Sequence, residues 1–429
     1  MVLTIRNAAF KLLYRLAVAL KGVLAPIIPV RVRYQIKSKL LGLSYPASKS
    51  KAAKIMTKTE GINLIGYARA EMGIGESCRI AARNLDVAGI PFGIINFIGT
   101  NSARMSDLSW AHKEIKEPLY DINLVHLNAE QMIELYTEYG TELFNNRYTI
   151  GYWHWELPDF PDRWLNSFSL VDEVWVPSRF VADSIAEKSP VPVVRIPHSV
   201  QVVISTPRDR AYFGLPEDRF LFLCMFDLNS YQARKNPQAA IAAFNTAFGN
   251  FRIDVGLVIK VNGFVNNQND LRKLQEAVRE FENIYIIAET LSRNDTNALI
   301  NVVDCYVSLH RSEGFGLGLA ESMYLGKPVI GTAWSGNVDF MTPFNSCMVQ
   351  YRLIQIGTNH GPYEAYQYWA EPDVEHAAYY MRKLVEDREF CDKISKVGQK
   401  DIVDRFSPKV VGSQIKKRLD YILKYTSRR

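Results

Sequence analysis

Two glutamates, Glu313 and Glu321, lie eight positions apart across a glycine-rich stretch. Residues 304–309 before it form a short apolar run that is typical of a buried parallel strand. Residues 319–325 after it predict a helix, because glycine and proline follow them as helix-ending signals. The spacing therefore places two carboxylates at a strand-to-helix turn. We expect Glu313 in the loop beside a bound sugar and Glu321 in the helix within reach of a ribose.

The turn contains Gly314, Gly316 and Gly318, with Phe315 and Leu317 between them. Glycine lets the backbone come close to a ligand, and the amide groups at a helix start favour an anion. We predict that residues 314–317 bind the phosphate of a sugar phosphate. The alternative is an ordinary α/β turn whose two carboxylates are solvated.

A basic pair, Arg234 and Lys235, follows a second apolar strand at 219–226 and precedes a predicted helix at 236–247. Transfer of a sugar from a diphosphate requires a metal or fixed positive groups to stabilise the departing charge. The pair can supply that charge. The alternative is a solvated pair at a helix start.

Together these residues resemble the donor-binding site of the retaining glycosyltransferases of family 4, which have the GT-B fold. The resemblance covers residues 60–425 and implies that Glu313 binds hydroxyls of the donor sugar and Glu321 binds the ribose of the nucleotide. It also implies that Lys235 binds the diphosphate. The arginine that often precedes this lysine in the family is absent, so we expect Arg234 to take its role.

Metal-dependent glycosyltransferases of the other common architecture carry an Asp-x-Asp triplet. Here Asp159 and Asp162 have the wrong spacing, and Glu371 with Asp373 follows no hydrophobic strand. We therefore predict a metal-independent enzyme with no cofactor. Its donor would be a GDP- or UDP-linked sugar.

Gly73 and Gly75 follow the first predicted strand and precede a helix that we expect to begin near Ser77. They resemble the family's phosphate-facing loop in the first domain, whose amide groups lie across the cleft from the donor. The alternative is a plain tight turn.

His154 and Glu156 end a later strand among large aromatic residues. The family resemblance implies that His154 contacts the donor sugar near the reaction centre, and strand alternation puts Glu156 on the same face. The alternative is a core edge with a satisfied histidine, which applies equally to His126 and His198. We also expect residues 334–337 to border the sugar pocket.

Strands and helices alternate along the chain, as a parallel α/β fold requires. The sequence predicts two Rossmann-like domains facing each other across a cleft, plus a basic N-terminal helical arm, which is the GT-B plan. The predicted parts are an arm at 1–60, an acceptor-side domain at 61–205, a nucleotide-sugar-binding domain at 206–405, and a C-terminal helix at 406–429 that crosses back to the first domain.

The chain has 429 residues and is 48% hydrophobic, a composition typical of large globular domains. Its five cysteines are odd in number and mostly lie in or beside apolar runs, so we expect neither disulfides nor a metal cluster. A reducing cytoplasm fits this pattern best.

Residues 1–60 carry the excess positive charge, with twelve Lys and Arg residues against one acid, whereas the remainder has 39 basic and 44 acidic residues. A helical projection separates an apolar face from a basic face, a pattern typical of a helix lying on an anionic membrane. The apolar face holds Ile5, Leu12, Leu13, Leu16, Leu20 and Val23, and Lys11, Arg15 and Lys21 lie opposite. The alternative is a helix packed on the protein itself. No apolar run reaches the ~20 residues that a membrane span needs, and the arm's few aromatics argue against nucleic-acid binding.

The sequence thus predicts a retaining hexosyltransferase that acts on a glycan or lipid-linked oligosaccharide in surface polysaccharide biosynthesis. It would be cytoplasmic and peripheral on the inner face of the cytoplasmic membrane. Two other functions remain open: an epimerase or phosphorylase of the same fold, and a non-catalytic sugar-nucleotide-binding subunit.

Overall fold

A computed structural model describes most of the chain after the basic arm. The described residues are 60–99, 101, 103–249, 252–263 and 267–426. They form two parallel six-stranded sheets, each with flanking helices, and a separate two-stranded antiparallel sheet. The arm predicted at residues 1–60 lies outside the described residues except for Glu60, so the membrane prediction stays a prediction.

The first sheet has the strand order β2-β1-β3-β4-β5-β6, and all of its pairs are parallel. Its central strands are almost continuously buried, as expected for a parallel sheet covered on both faces. The strands are β1 (Ile62–Gly66), β2 (Phe92–Asn96), β3 (Ile122–His126), β4 (Tyr148–Tyr152), β5 (Glu173–Val176) and β6 (Val193–Arg195). The helices are α1 (Gly73–Val87), α2 (Met132–Tyr139), α3 (Thr141–Phe144) and α4 (Arg179–Ala186).

The second sheet has the order β12-β11-β10-β7-β8-β9 and is also parallel. Its strands are β7 (Phe220–Asp227), β8 (Val255–Asn262), β9 (Ile284–Ile287), β10 (Cys305–Ser308), β11 (Val329–Thr332) and β12 (Cys347–Val349). Its helices are α5 (Gln232–Lys235), α6 (Pro237–Phe248), α7 (Gln268–Ala277), α8 (Arg293–Val302) and α9 (Leu317–Tyr324). Ligands of such folds bind beyond the carboxyl ends of the strands.

The two sheets direct their carboxyl ends at each other. Ser178, which follows β5, donates a hydrogen bond to the carbonyl of Gly314, which follows β10, over 2.7 Å. Arg195 at the end of β6 pairs with Asp339 of the second domain at 2.5 Å. The predicted α/β architecture of two facing Rossmann-like domains is thereby confirmed.

The chain ends with three helices, α10 (Val374–Glu386), α11 (Arg388–Phe406) and α12 (Pro408–Thr426). The last of them returns to the first domain, where Val411, Ile415 and Leu419 share a hydrophobic core with Leu85 of α1. This packing ties the end of the chain to the first domain.

A hairpin that the sequence patterns did not reveal follows β12. It consists of β13 (Tyr351–Gln355) and β14 (Tyr368–Pro372), joined by a loop. Tyr363 and Trp369 of this segment are buried in the core of the first domain. The hairpin therefore crosses the cleft from the second domain to the first.

The first helix begins at Gly73, four residues before the expected start at Ser77. Met72 has an extended backbone as its N-cap, and the Glu76 amide already bonds to the Met72 carbonyl over 2.9 Å. Gly73 and Gly75, which were expected in a loop, therefore lie in the first turn of the helix. Among the described residues, no helix combines the length and apolar character that a membrane span requires.

Candidate active site

Glu313 lies between Lys235 and Arg234, the two basic residues that the sequence predicted at the same site. Its Oε1 is 2.5 Å from Lys235 Nζ, and its Oε2 is 3.3 Å from Arg234 Nη1. The Glu313 side chain is 14% exposed and that of Arg234 only 5%. Arg234 also donates to the carbonyl of Ser312 over 2.8 Å. The residues form one buried ionic cluster beyond the carboxyl ends of β7 and β10.

Burial by itself disfavours the Glu313 carboxylate, but the charges of Lys235 and Arg234 outweigh it and lower its pKa to about 2. Burial likewise disfavours the charged Arg234 side chain, and the neighbouring Tyr363, Glu313 and Glu156 outweigh that effect and raise its pKa. The Glu313 carboxylate and the Arg234 guanidinium are therefore both charged at neutral pH.

The short helix α5 carries Arg234 and Lys235, and residues at both of its ends fix its position beside β10. Tyr231 before it and Asn236 after it both have positive φ, 61° and 52°. The Arg311 amide donates to the Arg234 carbonyl over 2.8 Å, and Arg311 Nη1 donates to the Ala233 carbonyl over 2.6 Å. These bonds connect the end of β7 to the end of β10.

Glu156 brings the first domain to the same cluster. Its Oε1 lies 3.9 Å from Arg234 Nη2, and its Oε2 accepts a hydrogen bond of 3.1 Å from the hydroxyl of Tyr363. The Arg234 guanidinium lies 5.8 Å from the centre of the Tyr363 ring. The backbone carbonyl of Glu156 also accepts a hydrogen bond from the Ser312 hydroxyl. Glu156 thus joins both domains and the hairpin at the ionic cluster.

The glycine-rich turn takes the conformation that its sequence predicts. Gly316 has φ +91° at the N-cap of α9, a value that favours glycine, and Leu317 begins the helix. The Phe315 side chain is buried and meets the His198 ring edge-on at 5.2 Å. Only the backbone of Phe315 can therefore contact a ligand. Gly314 lies under His154, because a Cβ built on Gly314 would be 4.0 Å from the His154 Cβ.

The turn is braced by a ring of hydrogen bonds between β10 and β11. His310 Nε2 lies 3.0 Å from Asn337 Oδ1, and Asn337 Nδ2 donates to the Thr332 carbonyl over 2.8 Å. The Thr332 hydroxyl closes the ring by donating to the His310 carbonyl over 2.6 Å. These side chains are fully buried, so the start of the turn is fixed relative to β11.

Glu321 points to the opposite end of the cleft and pairs with Arg293 at the start of α8. Arg293 Nη2 also lies 3.9 Å from Glu76 of α1. Burial raises the pKa of Glu321, and Arg293 opposes that rise. Glu76 in turn receives two bonds from Arg79, of 3.0 and 2.9 Å. An alternating series of charges therefore spans the cleft at the expected ribose position.

The first turn of α1 lies on this side of the cleft. Gly75 is required by space, because a Cβ there would lie 2.1 Å from the Ala70 carbonyl oxygen. Gly73 has open space around its Cα, with nothing within 4 Å of a Cβ built there. The start of α1 therefore lies beside Glu76, which is 3.9 Å from Arg293 across the cleft.

His154 lies above the glycine-rich turn and bonds within the first domain. Its Nε2 is 3.0 Å from His198 Nε2, and its Nδ1 is 3.3 Å from Asn128 Oδ1. Burial lowers its pKa to about 4, so it is neutral at pH 7. The contacts are satisfied when Nδ1 donates to Asn128 and Nε2 accepts from His198. The neighbour His126 lies deeper, stacked on Tyr152 at 4.3 Å.

The structure thus gathers Glu313, Arg234 and Lys235 in one cluster and sets His154 over the same turn. Glu321 and the glycines of α1 form the other end of the cleft. Sequence reasoning missed Arg293 and Tyr363. Arg293 begins α8 shortly after β9 and could have been found from that place, whereas Tyr363 lies in a stretch with no regular sequence pattern. Among the residues described, no cluster of His, Cys, Asp and Glu could hold a metal ion.

Residues 205–352 match the family model of the glycosyl transferases group 1, and this segment contains the ionic cluster and Glu321. The chain is a glycosyltransferase. No curated protein matches this glycosyltransferase by sequence.

Several solved structures resemble the glycosyltransferase over most of their length. A Rickettsia africae glycosyltransferase has a TM-score of 0.64 at 14% identity, covering 85% of this chain and 99% of its own. Sucrose-phosphate synthase from Thermosynechococcus elongatus gives 0.63 at 14% identity, with 85% and 100% coverage. Anabaena HepE in complex with UDP-glucose gives 0.61 at 14% identity, with 84% and 99% coverage. The likeness confirms the predicted GT-B fold.

Proposed function

We propose that the protein is a retaining, metal-independent hexosyltransferase that uses a nucleoside-diphosphate sugar. The observation that carries the proposal is the buried cluster in which Lys235 and Arg234 flank Glu313 beneath His154. Such fixed charges act strongly in a water-excluded site and need no reorganisation during the reaction.

In the proposed reaction the bond between the anomeric carbon and the diphosphate breaks. A new bond forms from the acceptor hydroxyl on the same face, and the acceptor proton passes to the leaving phosphate. Arg234 and Lys235 hold the diphosphate charge. An ammonium has three donors, so Lys235 can contact the diphosphate while it keeps Glu313. Because two cations fix the Glu313 carboxylate, we assign it the orientation of sugar hydroxyls rather than nucleophilic attack.

Glu321 is assigned to the ribose, and the amide groups around Gly73 and Gly75 to the phosphates across the cleft. The fold shared with Anabaena HepE, whose complex holds UDP-glucose, supports a UDP-linked donor over a GDP-linked one. We further propose a glycan or lipid-linked acceptor in surface polysaccharide biosynthesis. The basic residues 1–60 support a peripheral position on the inner face of the cytoplasmic membrane.

A thermal-shift screen with UDP- and GDP-sugars tests the donor. A ligand at about 100 times its dissociation constant stabilises the protein by ~2.7 kcal/mol, which is readily detected. We expect a UDP-hexose to raise Tm and to be hydrolysed or transferred with EDTA present. A protein that binds no nucleotide sugar, or that turns over only with added divalent metal, would contradict the proposal.

A further inference from the structure

Ser335 has a backbone conformation that is unusual for any residue but glycine. Its φ is 74° and its ψ is −149°. This region is essentially restricted to glycine, and other residues adopt it only with backbone strain. Asn146 and Asn236 also have positive φ, but asparagine tolerates positive φ values. Serine has no such tolerance, so surrounding contacts must hold Ser335 in place.

Those contacts are made with Glu313. The Glu313 amide donates to Ser335 Oγ over 2.8 Å, and the Gly336 amide donates to the Glu313 carbonyl over 2.8 Å. Both main-chain polar groups of Glu313 are therefore bound by two consecutive residues after β11. Ser335 is 2% exposed, so water does not compete for these bonds.

The loop that contains Glu313 and the loop that contains Ser335 pack too closely to be arranged differently. A Cβ on Gly336 would lie 2.2 Å from the Gly314 carbonyl oxygen, so the two loops are pressed together at their backbones. A glycine at position 335 would relieve the strain but would leave the Glu313 amide without its hydroxyl acceptor. A buried donor without its acceptor costs free energy and shifts until it finds another partner.

We infer that Ser335 is a positioning residue, whose strained backbone serves to hold the Glu313 main chain so that its carboxylate meets Lys235 and Arg234. The inference rests on the proposed role of Glu313 in sugar transfer. The inference predicts that backbone strain and turnover are linked at position 335. Glycine would relieve the strain, but only a residue that this backbone conformation disfavours can supply the hydroxyl that aligns Glu313.

The test compares Ser335→Gly with Ser335→Thr in the full chain, measuring Tm and steady-state kinetics with the UDP-hexose that the donor screen selects. The glycine variant loses the strain but also leaves the buried Glu313 amide without its acceptor, so the two effects on Tm oppose each other. We therefore expect a Tm close to that of the wild type and a kcat about tenfold lower, the equivalent of one hydrogen bond. The threonine variant keeps the hydroxyl and adds crowding, so we expect a lower Tm with kcat within about twofold of the wild type. The donor KM should change little in both.

A purely structural role would make kcat follow Tm, so that Ser335→Thr would lose more turnover than Ser335→Gly, and that result would overturn the inference. So would a wild-type kcat in Ser335→Gly. Glu313→Gln, measured in parallel, separates the two claims. If Glu313→Gln is inactive while Ser335→Gly is fully active, only the role of Ser335 is wrong. If Glu313→Gln itself retains wild-type turnover, the proposed function fails.

Discussion

Replacing Glu313 with glutamine removes the single negative charge between Lys235 and Arg234. Glutamine resembles the protonated glutamate in shape, so the variant loses the stabilisation that ionisation provides. The pKa of Glu313 falls from its ordinary value of 4.5 to about 2, which corresponds to about 3 kcal/mol at neutral pH. We expect Glu313→Gln to lower the free energy of unfolding by roughly that amount.

The pH dependence has a definite sign. The folded-state pKa of Glu313 lies below the unfolded value, so its contribution is complete above pH 4.5 and is lost as the pH falls towards 2. The difference between wild type and variant should stay near 3 kcal/mol from pH 7 to about 5.5. It should shrink to about 2 kcal/mol at pH 3.5. Urea unfolding at each pH measures it.

The same variant should lose turnover while keeping much of its affinity for the free nucleotide. In the proposed mechanism Glu313 acts on the sugar as charge develops, so we expect kcat to fall about 10²–10³-fold. Glu142→Gln, which neutralises an exposed carboxylate of the first domain, is the matched control and should match the wild type. A Glu313→Gln variant with wild-type kcat, or with unchanged stability at pH 7, would refute the reasoning.

Lys235→Ala should weaken the binding of UDP or GDP at least about tenfold by calorimetry, whereas Lys273→Ala at an exposed site should not; equal affinities would move the diphosphate site elsewhere. Arg293→Met should raise the donor KM, most strongly at low pH, because Glu321 loses the cation that opposes its protonation. A donor KM that depends on pH as it does in the wild type would exclude this role. Deleting residues 1–40 should abolish sedimentation with anionic vesicles at low ionic strength, and equal sedimentation of both proteins would end the membrane proposal.

Much of the fold could be predicted because parallel strands buried on both faces leave continuous apolar runs in the sequence. The predicted strand at 219–226 agrees with β7 to within one residue at each end, and the predicted helix at 236–247 agrees equally well with α6. The start of α1 was predicted four residues too late. Gly73 and Gly75 were interpreted as loop residues, although glycine also fits the first turn of a helix. The hairpin of β13 and β14 was missed because β13 is mostly exposed and shows no regular apolar pattern.

The candidate site was predictable where local sequence determines position. Glu313 and Glu321 share one strand-to-helix turn, so their spacing alone fixes their relation. The partners that complete the site come from distant segments. Tyr363 reaches it only through tertiary packing, and nothing in a single sequence encodes that Ser335 binds the Glu313 amide. Electrostatics and strain therefore appear only with the three-dimensional structure.

The most direct test follows the anomeric configuration of the sugar that the enzyme releases. The purified protein is incubated with the UDP-α-hexose that the donor screen selects, and proton NMR records the first sugar anomer before mutarotation. A retaining enzyme that uses Glu313, Lys235 and Arg234 as proposed releases the α-anomer first, and Glu313→Gln releases almost none. Release of the β-anomer first, or equal release by Glu313→Gln, would contradict the account.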